Sequence, residues 1–150
     1  MPSPLVILKL VHVLAAIVAV GANVTYAIWL RRAGRDRDRL LFVIGTIRLI
    51  DRRVANPGYV VLLITGALMV AGGLYSFETG WIVAAIALYV VTALLGLLAF
   101  APAIRRQLAE AAKDPTSSAY AAAASRSSAL GLLTTAIVVT IVALMVLKPF

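Results

Sequence analysis

Long apolar runs constrain this chain more than anything else in it. A helix needs about 20 predominantly apolar residues to cross a bilayer, and the first run, Leu5 to Leu30, is broken only by Lys9, His12, Asn23 and Thr25. Three more follow: Pro57 to Tyr75, Trp81 to about Ala101, and Ala129 to Leu147. Together they use most of the 150 residues and leave no room for a separate soluble domain. The chain is 63% hydrophobic and 13% charged, against roughly 45–50% and about 25% in soluble domains. The expected fold is therefore all-α, an integral membrane four-helix bundle forming a single domain over 1–150, with long connections at 31–56 and 102–128.

The connections have patterns of their own. Between Leu40 and Arg53, the apolar residues Leu40, Val43, Ile44, Ile47 and Ile50 recur at helical spacing, with Arg48, Asp51 and Arg52 on the other side. That pattern predicts a helix on the membrane surface. Asn56 and Pro57 suit a helix start, so span two either begins there or continues the surface helix through a kink. The five residues from Ser76 to Gly80 allow only an antiparallel neighbour. Trp81 opens span three at the interface, and Pro102, Arg105 and Arg106 are expected to end it. The alanine-rich stretch Gln107 to Arg126 is expected to be a solvated helical lead-in to span four, after a turn at Asp114, Pro115 and Thr116. Met1 to Pro4 lacks the charged n-region of a secretory signal peptide.

The net charge is +8, from 14 Lys and Arg against 6 Asp and Glu. Eight cations (Arg31, Arg32, Arg35, Arg37, Arg39, Arg48, Arg52, Arg53) lie between spans one and two, and four (Arg105, Arg106, Lys113, Arg126) between spans three and four. Only Lys9 and Lys148 remain for the other side. Cytoplasmic loops retain positive charge, so both connections are expected inside and both termini outside. Anionic lipid headgroups are the expected partner of these cations. Nucleic acid is not, because the arginines flank spans and lack interleaved aromatics.

Reactive groups are few. Without cysteine there are no disulfides, thiolate metal sites or cysteine nucleophiles. No paired carboxylates, no Ser/His/Asp set and no phosphate loop are present, which leaves hydrolysis and phosphoryl transfer unsupported. Ionisable residues inside a span are the default site candidates, and span one has two. At about 100° per residue, Lys9, Ala16, Ala19, Asn23 and Tyr26 fall within about 60° of His12, the only histidine. The opposite face carries Leu10, Ile17, Gly21 and Val24. This stripe is expected to face the bundle interior, and its two readings stay open. In one, Lys9 snorkels to the outer surface while His12 and Asn23 bridge helices through hydrogen bonds. In the other, His12 ligates haem iron or relays protons, with Lys9, Asn23 and Tyr26 beside it. A lone imidazole supplies one axial ligand; Met69, Tyr89, Met145, a lysine or another subunit would have to supply the second. Glu78 is expected to pair with Lys9 or Lys148. The in-span threonines are expected to bond their own helix carbonyls, and the glycines to mark close helix contacts.

The segments KLVHVLAAIVAVGANV, DRRVANPGYVVLLITGALM, APAIRRQ after the span that Trp81 opens, and the ending MVLKPF resemble a family of predicted bacterial integral membrane proteins of unknown function. More distantly, the layout is similar to HemJ-type protoporphyrinogen oxidases and CopD-type copper-resistance membrane domains. The resemblance implies a bacterial plasma-membrane protein and, through the distant relatives, a cofactor-binding pair made of a span-one histidine and a lysine near the start of span three. His12 matches the histidine. Span three, reading WIVAAIALYVV, has no lysine around Ala84 and Ala85. The expected function is a small non-catalytic membrane binding or accessory protein, with small-residue faces suited to homo-oligomers. The alternative is a haem- or porphyrin-binding protein using His12, and the third reading is a small-solute transporter.

Overall fold

The computed structural model describes residues 3–149 and is helical, with no strand among them. Met1, Pro2 and Phe150, the last residue of the Lys-Pro-Phe ending, lie outside the described residues. Helix α1 runs over Pro4–Ala33, with its proline in the first turn, where a missing N–H costs no hydrogen bond. Gly34 follows with φ 64°, a conformation that a Cβ would strain. The Asp36 carboxylate then accepts from the Arg39 N–H at 2.9 Å and starts α2, Arg37–Ile50.

The next two helical segments join without a break. A π-helical turn at Asp51–Ala55 carries α2 into α3, Asn56–Ala71, and a second at Gly96–Phe100 carries α4, Gly80–Leu95, into α5, Ala101–Lys113. Each wide turn directly precedes a proline-bearing first turn, at Pro57 and Pro102. A proline inside a regular helix clashes with the carbonyl four residues back. Here the Asn56 and Ala101 N–H groups bond instead to the carbonyls of Asp51 and Gly96, five residues back. Pro102 therefore does not end its helix, contrary to expectation, and Arg105 and Arg106 lie well inside it. The helix of span two ends at Ala71, where Gly72 and Gly73 (φ 77°) turn the chain. The final helix, α6, covers Ser118–Leu147 and is capped by the Ser117 hydroxyl, which accepts from the Tyr120 N–H at 3.1 Å.

Four continuous helices, Pro4–Ala33, Arg37–Ala71, Gly80–Lys113 and Ser118–Leu147, are long and apolar enough to cross a membrane. Ile17, Leu63, Leu98 and Leu132 are among many large apolar side chains left exposed on them. Water does not tolerate so continuous an apolar surface, whereas hydrocarbon requires it.

The two connections differ from expectation for one shared reason. The apolar stripe of α2 (Leu40, Val43, Ile44, Ile47) is buried against Tyr26, Ala33, Ile104 and Ala111. A stripe buried on other helices is not available to lie on lipid, so α2 is a packed helix and not a surface one. The stretch expected as a solvated lead-in also turns one face inward, burying Gln107, Ala111, Ala123 and Ser127. Its polar pair is satisfied there: the Ser127 hydroxyl donates to Gln107 Oε1 at 2.5 Å.

Helix α1 packs along α2 and α3, α6 packs along α4 and α5, and α1 also touches α6. α2 and α5 pack together, yet α3 and α4 nowhere bring Cα atoms within 8 Å of each other. The same two continuous helices thus meet on one side of their wide turns and part on the other.

Candidate functional site

The inward face of α1 follows a seven-residue rhythm, with His12, Ala19, Tyr26 and Ala33 all buried. A seven-residue repeat keeps one seam of a helix facing the same partner over many turns. The partner residues also step by seven along Arg37–Ala71. His12 meets Thr65 and Tyr26 meets Asp51 through hydrogen bonds. Between and beyond them, glycines admit the helix: a Cβ on Gly58 would lie 3.1 Å from that of Ala19, and one on Gly72 would lie 2.7 Å from Leu5 Cδ2. This seam places His12 and Tyr26 against Thr65 and Asp51.

His12 Nδ1 lies 2.7 Å from Thr65 Oγ1. The threonine hydroxyl has one proton, and it donates to the Val61 carbonyl at 2.6 Å, the usual bond of a threonine within a helix. We therefore assign the ring proton to Nδ1, which donates to the Thr65 oxygen and leaves Nε2 with a bare lone pair. The Leu62 backbone carbonyl also faces the ring. The ring lies over Gly66, where a Cβ would stand 3.4 Å from Cε1 and 3.9 Å from Nδ1.

Towards the wide turn, Asn23 Nδ2 donates to the Tyr59 hydroxyl at 2.6 Å, and the Tyr26 hydroxyl donates to Asp51 Oδ1 at 2.8 Å. The Tyr89 hydroxyl reaches from α4 to the Tyr59 carbonyl at 2.9 Å, crossing the space where the α3 and α4 backbones stay apart. Of the four stripe residues predicted from sequence, three are thus fixed in bonds between helices.

Lys9 is the exception. It sits at the edge of the stripe and is exposed. An ammonium group needs acceptors or water, and the seam offers it neither. Glu78 forms no ion pair with Lys9 or Lys148 among the described residues. Lys148 lies instead over the rings of Tyr75, 5.0 Å from the centroid, and Trp81, 5.9 Å away. Those rings meet edge to face at 5.3 Å, and the aromatic faces attract the cation without a carboxylate.

Thr65, Gly66, Tyr59 and Asp51 were not singled out as partners from sequence, and Tyr89 only as a candidate second ligand beside His12. The signal was present for Asp51, Gly58, Thr65 and Gly72, which repeat the seven-residue step of α1. Tyr89 had no such signal, since its bond goes to a backbone carbonyl.

The residues present do not supply the two-ligand set implied by the distant resemblance. The lysine expected near the start of span three is replaced by Ala84 and Ala85, neither of which can coordinate a metal. No group of three or more His, Cys, Asp or Glu that could hold a metal ion occurs among the described residues.

Residues 6–149 match a family described as Predicted integral membrane protein (DUF2269). No curated protein and no solved structure matches the chain, and the likeness to HemJ-type and CopD-type proteins is not shown.

Proposed function

Because the chain belongs to the DUF2269 family of predicted integral membrane proteins, we propose that it is a non-catalytic membrane binding or accessory protein. The supporting observation is what the polar stripe does. His12, Asn23 and Tyr26 each bond to a side chain of the second continuous helix, which is how polar side chains hold helices together in a bilayer.

The topology belongs to the same reading. The second helix runs against α1, since bonded partners descend along Arg37–Ala71 as they ascend along α1, and we extend this alternation to all four spans. Twelve of the 14 cations lie in the first wide turn or on the α2 and α5 side of the wide turns. That side lies in the cytoplasm of a bacterial cell against anionic headgroups, and both termini lie outside.

Two measurements test this. Protein purified in detergent from haem-supplemented cells is expected to show no Soret band; a band that disappears in His12→Ala would replace the accessory reading with haem binding. A cysteine at Glu78, in an otherwise cysteine-free chain, is expected to react with an impermeant maleimide on intact spheroplasts. Labelling only after lysis would invert the topology.

A further inference from the structure

Most of the exposed apolar surface belongs to the spans, but one part of it lies past their end. The bonded pairs His12–Thr65 and Tyr26–Asp51 fix one antiparallel register between α1 and the second continuous helix. In that register Ile50 stands about level with Ala27, and Phe42 about level with Arg35, beyond Leu30, where the apolar run of span one ends. Phe42 is nevertheless 71% exposed, and Trp29 is 51% exposed. Together with Thr46 and Ile50, these two rings line a groove between α1 and α2. One end of the groove therefore lies within the apolar run, and the other lies among arginines.

Two of those arginines are free of partners. Arg37 pairs with Asp38 at 4.0 Å and donates to the Ala112 carbonyl at 2.9 Å, whereas the side chains of Arg32 and Arg39 are exposed and make no ion pair among the described residues. At about 100° per residue, Arg39 falls between Thr46 and Ile50 around α2, on the groove side, and Arg32 follows Trp29 by about one turn of α1. The lining itself is poor in polar groups. Its one hydroxyl, on Thr46, donates to the Phe42 carbonyl at 2.8 Å, which leaves the Trp29 indole N–H as the free side-chain donor. A peptide would bring an N–H and a C=O with every residue, and this lining answers few of them. A hydrocarbon chain brings none.

We propose that this groove binds an anionic phospholipid: one acyl chain lies between Trp29 and Phe42, an ester carbonyl accepts the indole N–H, and Arg32 and Arg39 hold the phosphate. Guanidinium groups suit that task because their paired N–H donors match phosphate oxygens. The proposal rests on the reading that sets the α2 and α5 side against an anionic leaflet, and it gives that surface one defined site.

Bromine on an acyl chain quenches an indole at contact, so tryptophan fluorescence reads the site. Trp29 and Trp81 are the two tryptophans, and Trp29→Phe, a change at an exposed position, isolates the Trp29 signal by difference. In phosphatidylcholine nanodiscs, brominated phosphatidylglycerol as a minor component is expected to quench Trp29 with an affinity on the order of tenfold above that of brominated phosphatidylcholine, as two cations beside an anionic headgroup provide. Arg32→Gln with Arg39→Gln should bring that ratio near one, while Arg105→Gln with Arg106→Gln, on α5, should leave it unchanged. Thr46→Leu, which adds bulk to the groove wall, should also abolish the preference. Parity of the two lipids in the unsubstituted protein would overturn the proposal and leave the groove to an acidic protein segment. Equal loss from both arginine pairs would overturn it in favour of diffuse attraction, and no effect of Thr46→Leu would take the acyl chain out of the groove. Each of these results leaves the accessory reading intact. A nanodisc offers the same lipid on both faces, so the ratio is also independent of orientation, which the cysteine at Glu78 tests separately.

Discussion

At the scale of single residues, partners matter more than positions along the chain. The His12–Thr65 pair holds a buried ring by one bond between two helices, and such pairs in membranes contribute about 0.6 kcal/mol on average, up to roughly 2 kcal/mol. A double-mutant cycle of His12→Ala and Thr65→Ala, read by unfolding in mixed micelles, is expected to give a coupling in that range; a coupling near zero would separate the two side chains energetically. Outside the spans, Asp114 shows the effect of a purely local partner. Its carboxylate accepts from the Thr116 N–H at 2.8 Å and the Thr116 hydroxyl at 2.6 Å, and these bonds hold its pKa below the ordinary carboxylate range. Because the folded pKa is lowered, the turn is fully favoured above the ordinary carboxyl pKa and loses that support as pH falls through the lowered value. The Thr116 amide proton shift, followed by NMR from neutral to acid pH, should titrate below that ordinary range, and Asp114→Asn should abolish the titration.

Elements are governed by the seven-residue seam. Gly58 and Ala19 bring α1 and α3 close together, and a Cβ at Gly58 would come within 3.1 Å of the alanine methyl. Gly58→Ala is expected to cost about 1–3 kcal/mol, as overpacked cores do. Ala19→Gly should recover much of that in the double variant, since it removes the opposing methyl. Failure of the rescue would mean that the helices do not meet at this point. The four apolar runs and the inward stripe of α1 were legible in the sequence because both are periodic in one helix at a time. The role of Asp51 was not. On an amphipathic segment read alone, Asp51 falls among arginines on the polar side; only the wide turn and the neighbouring helix bring it to Tyr26. Pro102 misled for a related reason: a proline reads as a stop, and a turn widened by one residue lets the helix continue past it. The fate of the α2 stripe was likewise hidden, because an apolar face reads the same whether lipid or another helix covers it.

The whole molecule divides at its two wide turns. α3 and α4 have 16 residues each, so both turns lie about 24 Å along the helix from the chain reversal at 72–79. On one side, α2 and α5 pack around Leu40, Ile44, Ile104 and Ala111; on the other, α3 and α4 part and present apolar residues outward. Arg52 and Arg53 sit within the first wide turn, and Arg105 and Arg106 lie one turn beyond the second, all exposed. These four arginines therefore lie where the packed end meets the parted spans, which is where phosphates of an anionic leaflet would lie. A polybasic surface gains about 1 kcal/mol per cation near such a leaflet and loses it as salt shortens the Debye length. The thermal midpoint in nanodiscs containing phosphatidylglycerol should exceed that in phosphatidylcholine, and the difference should shrink in 1 M salt, where screening reaches about 3 Å. Replacing Arg52 and Arg53 together with glutamine should remove roughly 2 kcal/mol of the lipid-dependent part and leave the midpoint in neutral lipid unchanged. A midpoint indifferent to lipid charge would confine these arginines to setting orientation during insertion, with no hold on the finished protein.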